Sequence, residues 1–351
     1  MNDKHYLNSV IKIQNSYREH TQKRIKSKSS SSSVVTEKLI GHYSLKTNAS
    51  IKAITEIELQ NLFQALPELN SQSNCISHVS STSPLYEIKY IIDNESKTEY
   101  YGETNINTGF KHGRGIQLFM DGSKYSGYFI DDHISFKGKL TQQSGDVYEG
   151  EWKNDKADGY GVCTQVNGAV YEGEWKNDYQ EGKGKEVWPD GTEYEGEYHK
   201  GQRHGKGIFK WNDGSSYEGD FEYNYLNGKG VMIFKDKRKY IGEFKNNKMN
   251  GHGVFTWPDN RKYSGDYKDD KKEGYGVFEW GDGRIYKGNW KNGKQNGKGE
   301  LYNPTTQTWK KGIWKEGKKI NWIDNEDNVN NNNNHTNIPK TMTNEESDFE
   351  N

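Results

Sequence analysis

A tyrosine followed two residues later by a glycine returns every 23 residues through the middle of this 351-residue chain. The pairs are Tyr125/Gly127, Tyr148/Gly150, Tyr171/Gly173, Tyr194/Gly196, Tyr217/Gly219, Tyr240/Gly242, Tyr263/Gly265 and Tyr286/Gly288. A period held for so many copies means one small unit stacked along a line. Function is then expected in an extended surface.

Residues 263–285 show what the unit folds into. Alternation puts Tyr263, Gly265 and Tyr267 on one face of a strand, and Ser264 and Asp266 on the other. A polar loop is expected from Lys268 to Glu273. A second strand follows at 274–280, and a turn closes at Gly281-Asp282-Gly283. Another copy turns at Trp188-Pro189-Asp190-Gly191, where proline presets one dihedral and glycine supplies a positive φ. Each unit therefore reads as a β-hairpin.

Glycines recur 2, 11, 13 and usually 20 residues after each tyrosine. Glycine inside a strand costs stability, so the recurrence predicts close approach of something bulky to the backbone. The abundant rings are the expected cause. Only 30% of the chain is hydrophobic and its mean hydropathy is −1.16, against roughly 45–50% apolar residues in an ordinary globule. Yet 13% is aromatic and 39 residues are glycine, which suits a thin sheet of rings seated on glycines. Some copies depart from the pattern. Phe136 replaces one glycine and is expected to distort its unit. Lys237 and Asn260 replace another and imply a different turn. Gly312 follows Trp309 one place late, which implies a bulge.

These residues resemble the MORN repeat (membrane occupation and recognition nexus), whose pattern is met by Tyr171-Glu-Gly173-Glu-Trp175, Gly182-Lys-Gly184 and Asp190-Gly191. The resemblance covers about residues 100–315. It implies a mainly β fold: a curved, elongated, single-layer antiparallel ribbon of stacked 23-residue hairpins. Leucine-rich repeats and propeller blades fit neither the residues nor the period. Family members serve as scaffolds in cytoskeletal, ciliary and membrane-junction assemblies. Partner helices along the groove and phosphoinositides have both been proposed as ligands. The lipid-kinase and methyltransferase domains joined to some relatives have no counterpart in residues 1–99 or 315–351.

Four segments are expected. Residues 1–33 form a basic helix and Ser-rich linker, and 34–98 a cap region with a short helix near 56–66. The array occupies 99–315, as about nine units plus a partial one. Residues 316–351 make an acidic, Asn-rich, disordered tail. In the first segment Tyr6, Val10, Ile13 and Tyr17 form one helical stripe beside a basic face. It resembles an IQ motif at Ile13, Gln14, Arg18 and Lys23, with Glu19 in place of the usual glycine and Ile25 one place early. That resemblance implies calmodulin or a calmodulin-like light chain as partner. An anionic membrane surface or the protein's own body are the alternatives. In the cap region, Thr55-Glu-Ile-Glu58 resembles a capping box, and Leu59, Leu62, Phe63 and Leu66 follow helical spacing to Pro67.

No catalytic constellation, metal-ligand cluster or cofactor loop is expected. Each Gly-x-Gly is followed by aromatic-rich strand, whereas a phosphate loop needs a helix. His112, His204 and His252 share no repeat position, and Asp269-Asp270-Lys271-Lys272 lacks the alternating ligands of a calcium loop. Near-balance of charge in the array weighs against nucleic acid. Two cysteines, no apolar run of membrane length and no signal-peptide core point to an intracellular protein, cytoplasmic and tied to cytoskeleton or cilium, or peripheral at a membrane. The expected site is an aromatic groove that accepts a helix or extended peptide. Its candidate residues are Tyr148, Trp152, Tyr171, Trp175, Trp188, Tyr194, Trp211, Tyr217, Tyr240, Trp257, Tyr263, Trp280, Tyr286 and Trp290. The alternative is a peripheral protein that binds anionic phospholipids.

Overall fold

The computed structural model describes residues 56–66 and 86–323. All lie in the second of two compact units, residues 53–351. The first unit, residues 1–52, holds the IQ-like segment and the Ser-rich linker, and lies outside the described residues, as does the Asn-rich tail. One short helix, α1 (Glu56–Ala65), stands where the apolar spacing placed it. It precedes 21 strands in one open antiparallel sheet, β1 (Tyr86–Asp93) to β21 (Lys318–Trp322), each paired with its neighbours in sequence. The expected ribbon of hairpins is the fold. The sheet includes β1, within residues 34–98, and β21, beyond residue 315.

The unit read from sequence spans β16 (Lys262–Lys268) and β17 (Lys271–Glu279). Tyr263 faces Phe278 and Gly265 faces Gly276, after which the register shifts so that Tyr267 faces Lys272. The connection is shorter than the expected six-residue loop. Only Asp269 and Asp270 turn the chain, with φ of 48° and 67°. That is the hairpin turn whose twist matches the strands it joins. Asp270 Oδ1 also accepts the amide of Met249 in the preceding unit at 2.8 Å, so each turn is tied to its predecessor.

Tyrosine explains two of the three strand glycines. A Cβ on Gly265 would lie 2.6 Å from the Tyr263 hydroxyl, and one on Gly276 would overlap the same ring. The hydroxyl donates to the carbonyl of Asp266 at 3.1 Å, an oxygen that the register shift removes from the ladder. The third glycine answers to a different cause. Gly274 has a φ of +69°, and the amide that follows the equivalent glycine in other copies is capped by the acid three residues after the tyrosine. Thus Lys183 donates to Glu174 at 3.1 Å and Lys229 to Asp220 at 2.9 Å.

The departing copies keep the pattern. Phe136 takes the positive φ, 59°, that glycine takes elsewhere, and Lys237 and Asn260 hold the ordinary turn at 69° and 68°. Nor is there a bulge where Gly312 arrives late. The pairing of β19 (Lys294–Asn303) with β20 (Thr308–Lys315) is continuous, with Gly299 facing Gly312. The extra residue instead moves Trp309 to the opposite face, opposite Tyr302, where it is 40% exposed.

Candidate partner-binding site

The sheet has two unlike faces. The ring face carries the tyrosines, the aromatics four residues on, and the rings of the second strand. Each tyrosine stands edge-on to its own unit's ring and to the next unit's. Tyr148 meets Trp152 and Trp175, both at 5.0 Å, and Tyr263 meets Tyr267 at 5.2 Å and Trp290 at 5.3 Å. This ladder runs unbroken from Tyr100 to Trp322. Burial raises the pKa of these phenols, that of Tyr286 to about 12, so they stay neutral donors.

The ring face is therefore largely sealed by itself. Of the groove residues expected from sequence, Tyr148, Trp152, Tyr171, Trp175, Trp188, Tyr194, Tyr217, Tyr240, Tyr263, Tyr286 and Trp290 are buried in the sheet's own core. Only Trp211, Trp257 and Trp280 keep partial exposure. Repetition and aromatic content located the core here. They could not show that every ring's free side is taken by the next repeat.

Charged side chains interrupt the apolar character of this face, among them Lys111 over the Tyr100 ring at 5.5 Å and two that lie nine residues after a tyrosine. Lys272 sits among Phe278, Trp290, Tyr263 and Trp257, its Nζ 4.4, 4.7, 5.0 and 5.3 Å from the ring centres. Burial, with a smaller push from Arg261, brings its amine down to about 8. Arg203 lies over Phe209 at 5.0 Å and Tyr194 at 5.5 Å, and its Nε and Nη1 have no hydrogen-bond partner. Nearby, buried Glu186 accepts from the Tyr198 hydroxyl at 3.1 Å. Burial pushes the Glu186 carboxyl up, and the Arg203 charge opposes that.

The opposite, open face offers room. Its side chains flank the bare glycine backbone and leave a trough. One stretch of about 880 Å³ is lined by Ile208, Val231, Ile241 and Val254, with Lys206, Glu218, Lys229 and Glu243 at its rims. Ile208 and Ile241 are 39% and 47% exposed.

At the other end of this face α1 is already seated. Leu59 and Leu62 bury against Ile116, with Phe63, Leu66, Tyr101 and Leu118 around them. Arg114 lies over the Phe63 ring at 4.2 Å and donates to the Leu66 carbonyl at 3.2 Å, which satisfies and neutralises the helix C-terminus. Glu103 holds that guanidinium at 2.6 Å. A second space of about 710 Å³ opens beside the helix, toward Glu149 and Val162.

The trough is electrically graded. The residue after the tyrosine is Ser126 in the copy at Tyr125, then Glu149, Glu172, Glu195 and Glu218, then Ile241 and Ser264, then Lys287. Register makes Lys311 the next, since Lys287 and Lys311 flank Glu300. Lys139 reaches Glu149 at 3.4 Å, whereas Glu172 accepts from the Tyr160 hydroxyl at 2.9 Å. Among the described residues no cluster of His, Cys, Asp and Glu is placed to hold a metal.

An open hairpin sheet, sealed on one face and furrowed on the other, is a repeat protein built for binding along its length. The MORN repeat family model matches residues 109–124, 148–170, 171–193, 194–216, 217–237, 240–260, 263–283 and 286–306. The chain thus carries eight MORN repeats, and its array is of the kind that binds partners or membranes. No curated protein matches it. Among solved structures, a mutant TCP10 domain of Danio rerio CPAP is similar at 13% identity and TM-score 0.33, over 67% of this chain and 98% of that one. The SAS-4 (dCPAP) TCP domain of Drosophila melanogaster, in complex with a proline-rich motif of Ana2, is similar at 12% identity and TM-score 0.26, over 54% and 99%.

Proposed function

We propose that this protein is a non-enzymatic scaffold that seats an amphipathic helix or extended peptide of a protein partner in the open-face trough. The observation that carries this reading is α1, an amphipathic helix that already lies on the same face. Dimensions favour a helix along the trough. One hairpin advances about 9.6 Å, two strand spacings, and seven helical residues advance about 10.5 Å. A side chain at every seventh position therefore meets successive hairpins. The apolar stretch at Ile208, Val231 and Val254 is the proposed anchor site.

The test is Ile208→Glu combined with Val231→Glu. Both side chains lie on the open face, outside the ring core. Proximity labelling in the native cell should lose a discrete set of neighbours while circular dichroism stays unchanged. An identical neighbour set would refute the trough. The same experiment reads the setting proposed from the family's usual roles, cytoskeletal or ciliary. Calmodulin capture by residues 1–33, with and without calcium, tests the light-chain partner proposed for Ile13, Gln14, Arg18 and Lys23. A second reading, anionic phospholipid, is favoured by the lysine-rich end near Lys287 and Lys311 and the exposed Trp309. Vesicle flotation at moderate salt decides it.

A further inference from the structure

We propose that the acidic segment 324–351 of this chain docks on the lysine-rich open face formed by β18 (Ile285–Lys291), β19 and β20. Residues 285–322 hold nine lysines against Glu300 and Glu316. Among the described residues only Lys294 of these lysines reaches a carboxylate, Glu316 at 3.6 Å. Lys291, Lys298, Lys311 and Lys315 share the open face by alternation and register, and all are exposed. Lys287 lies over the Trp309 ring at 4.4 Å. Neighbouring strands stand about 4.8 Å apart, so these ammonium groups repel one another within a Debye length.

The neutralising charge is at hand. The chain leaves the sheet at Ile323, and the residues that follow carry seven acids against Lys340. They form two clusters, at 324–327 and 345–350. The first follows Ile323 directly in sequence. The second follows about twenty residues later, and at roughly 3.3 Å per residue that stretch exceeds the width of three strands several times over. A tethered ligand of this kind acts at an effective concentration of order millimolar, so weak ion pairs suffice. The segment then screens this end from other anionic ligands. This assignment is independent of a partner helix at Ile208 and Val231.

The experiment uses the full chain, dilute, with carbodiimide to join amines to carboxylates at zero length. Links should connect acids of 324–350 to Lys291, Lys298, Lys311 or Lys315. They should disappear near 1 M salt, where the Debye length is about 3 Å, and survive Ile208→Glu/Val231→Glu. In a second arm all seven acids are replaced by amides. Acetylation of Lys298 and Lys311 should become several-fold faster, that of Lys183 and Lys229 should not change, and binding to phosphatidylserine vesicles should strengthen. Equal acetylation rates with and without the acids would overturn the proposal. So would links found only between isotopically distinct copies, which would assign the face to a second molecule. Vesicle binding indifferent to the acids would assign it to lipid.

Discussion

Lys272 is a charge in a cage of rings, and the neighbouring repeat supplies its natural replacement. Met249 occupies the same register position one unit earlier, facing Phe244 as Lys272 faces Tyr267. Lowering a lysine from its ordinary 10.5 to about 8 costs the fold about 3 kcal/mol at neutral pH, at 1.36 kcal/mol per pH unit. Four ring contacts oppose this by about 0.5–2 kcal/mol. Lys272→Met should therefore stabilise the sheet by about 1–3 kcal/mol at pH 7. The pH dependence carries the sign. Below about 8 the amine is charged in both states and the penalty is complete. Between about 8 and 10.5 the unfolded chain holds a proton that the fold has released, so native stability rises with pH. Above that range the penalty is gone. Urea unfolding of both proteins at pH 7 and pH 10.5, followed by tryptophan fluorescence, measures the difference. The buried tyrosines titrate equally in both proteins and cancel. A gain of equal size at the two pH values, or a loss at pH 7, would refute the electrostatic account.

Other outcomes follow from the same geometry. Tyr240→Phe removes the donor to the Glu243 carbonyl at 3.0 Å and should cost about 1 kcal/mol in urea unfolding, because that part-buried oxygen falls where the register with the next strand shifts. Gly253→Ala should cost more, since the added methyl overlaps the Tyr240 ring; a loss no larger than that of Tyr240→Phe would contradict the seating. Glu186→Phe and Arg203→Leu should each destabilise by about 3–5 kcal/mol, by stranding the other charge, and the double variant should recover most of that loss in a thermal melt. Lys237→Gly should gain about 1 kcal/mol, because its left-handed backbone is strained for lysine and costless for glycine.

The hairpin, its strand alternation and the ring-on-glycine packing could all be read from one repeat, because a period of two and a fixed tyrosine–glycine offset leave few other folds. Which ring covers the glycines was less clear. Tryptophan was the conspicuous residue, yet the shorter reach and terminal hydroxyl of Tyr263 suit the glycine pair and the freed carbonyl of Asp266. The role of Gly274 was hidden for a different reason. A glycine needed for positive φ and one needed for space look alike in sequence, and only the aspartate eight residues earlier separates them. The closure of the ring face was illegible for a related reason. Aromatics mark buried area wherever they occur, and whether that area faces a partner or the next repeat depends on long-range register. The trough is lined by Ile208, Val231 and Val254, at a repeat position that is also apolar in Val162 and Val277 and polar only in Lys139, Lys185 and Glu300, so a signal was present in the repeat beside the more conspicuous rings.

Every turn aspartate or asparagine that reaches back to the previous unit, as Asp270 does to Met249, makes the same bond with the same offset. Such a lattice has no preferred length. Removing one whole copy would bring what is bound at either end closer by about 9.6 Å and leave both faces aligned. Removing half a copy would turn one end over. Separation along this molecule therefore comes in integral steps, like the divisions of a measuring rod.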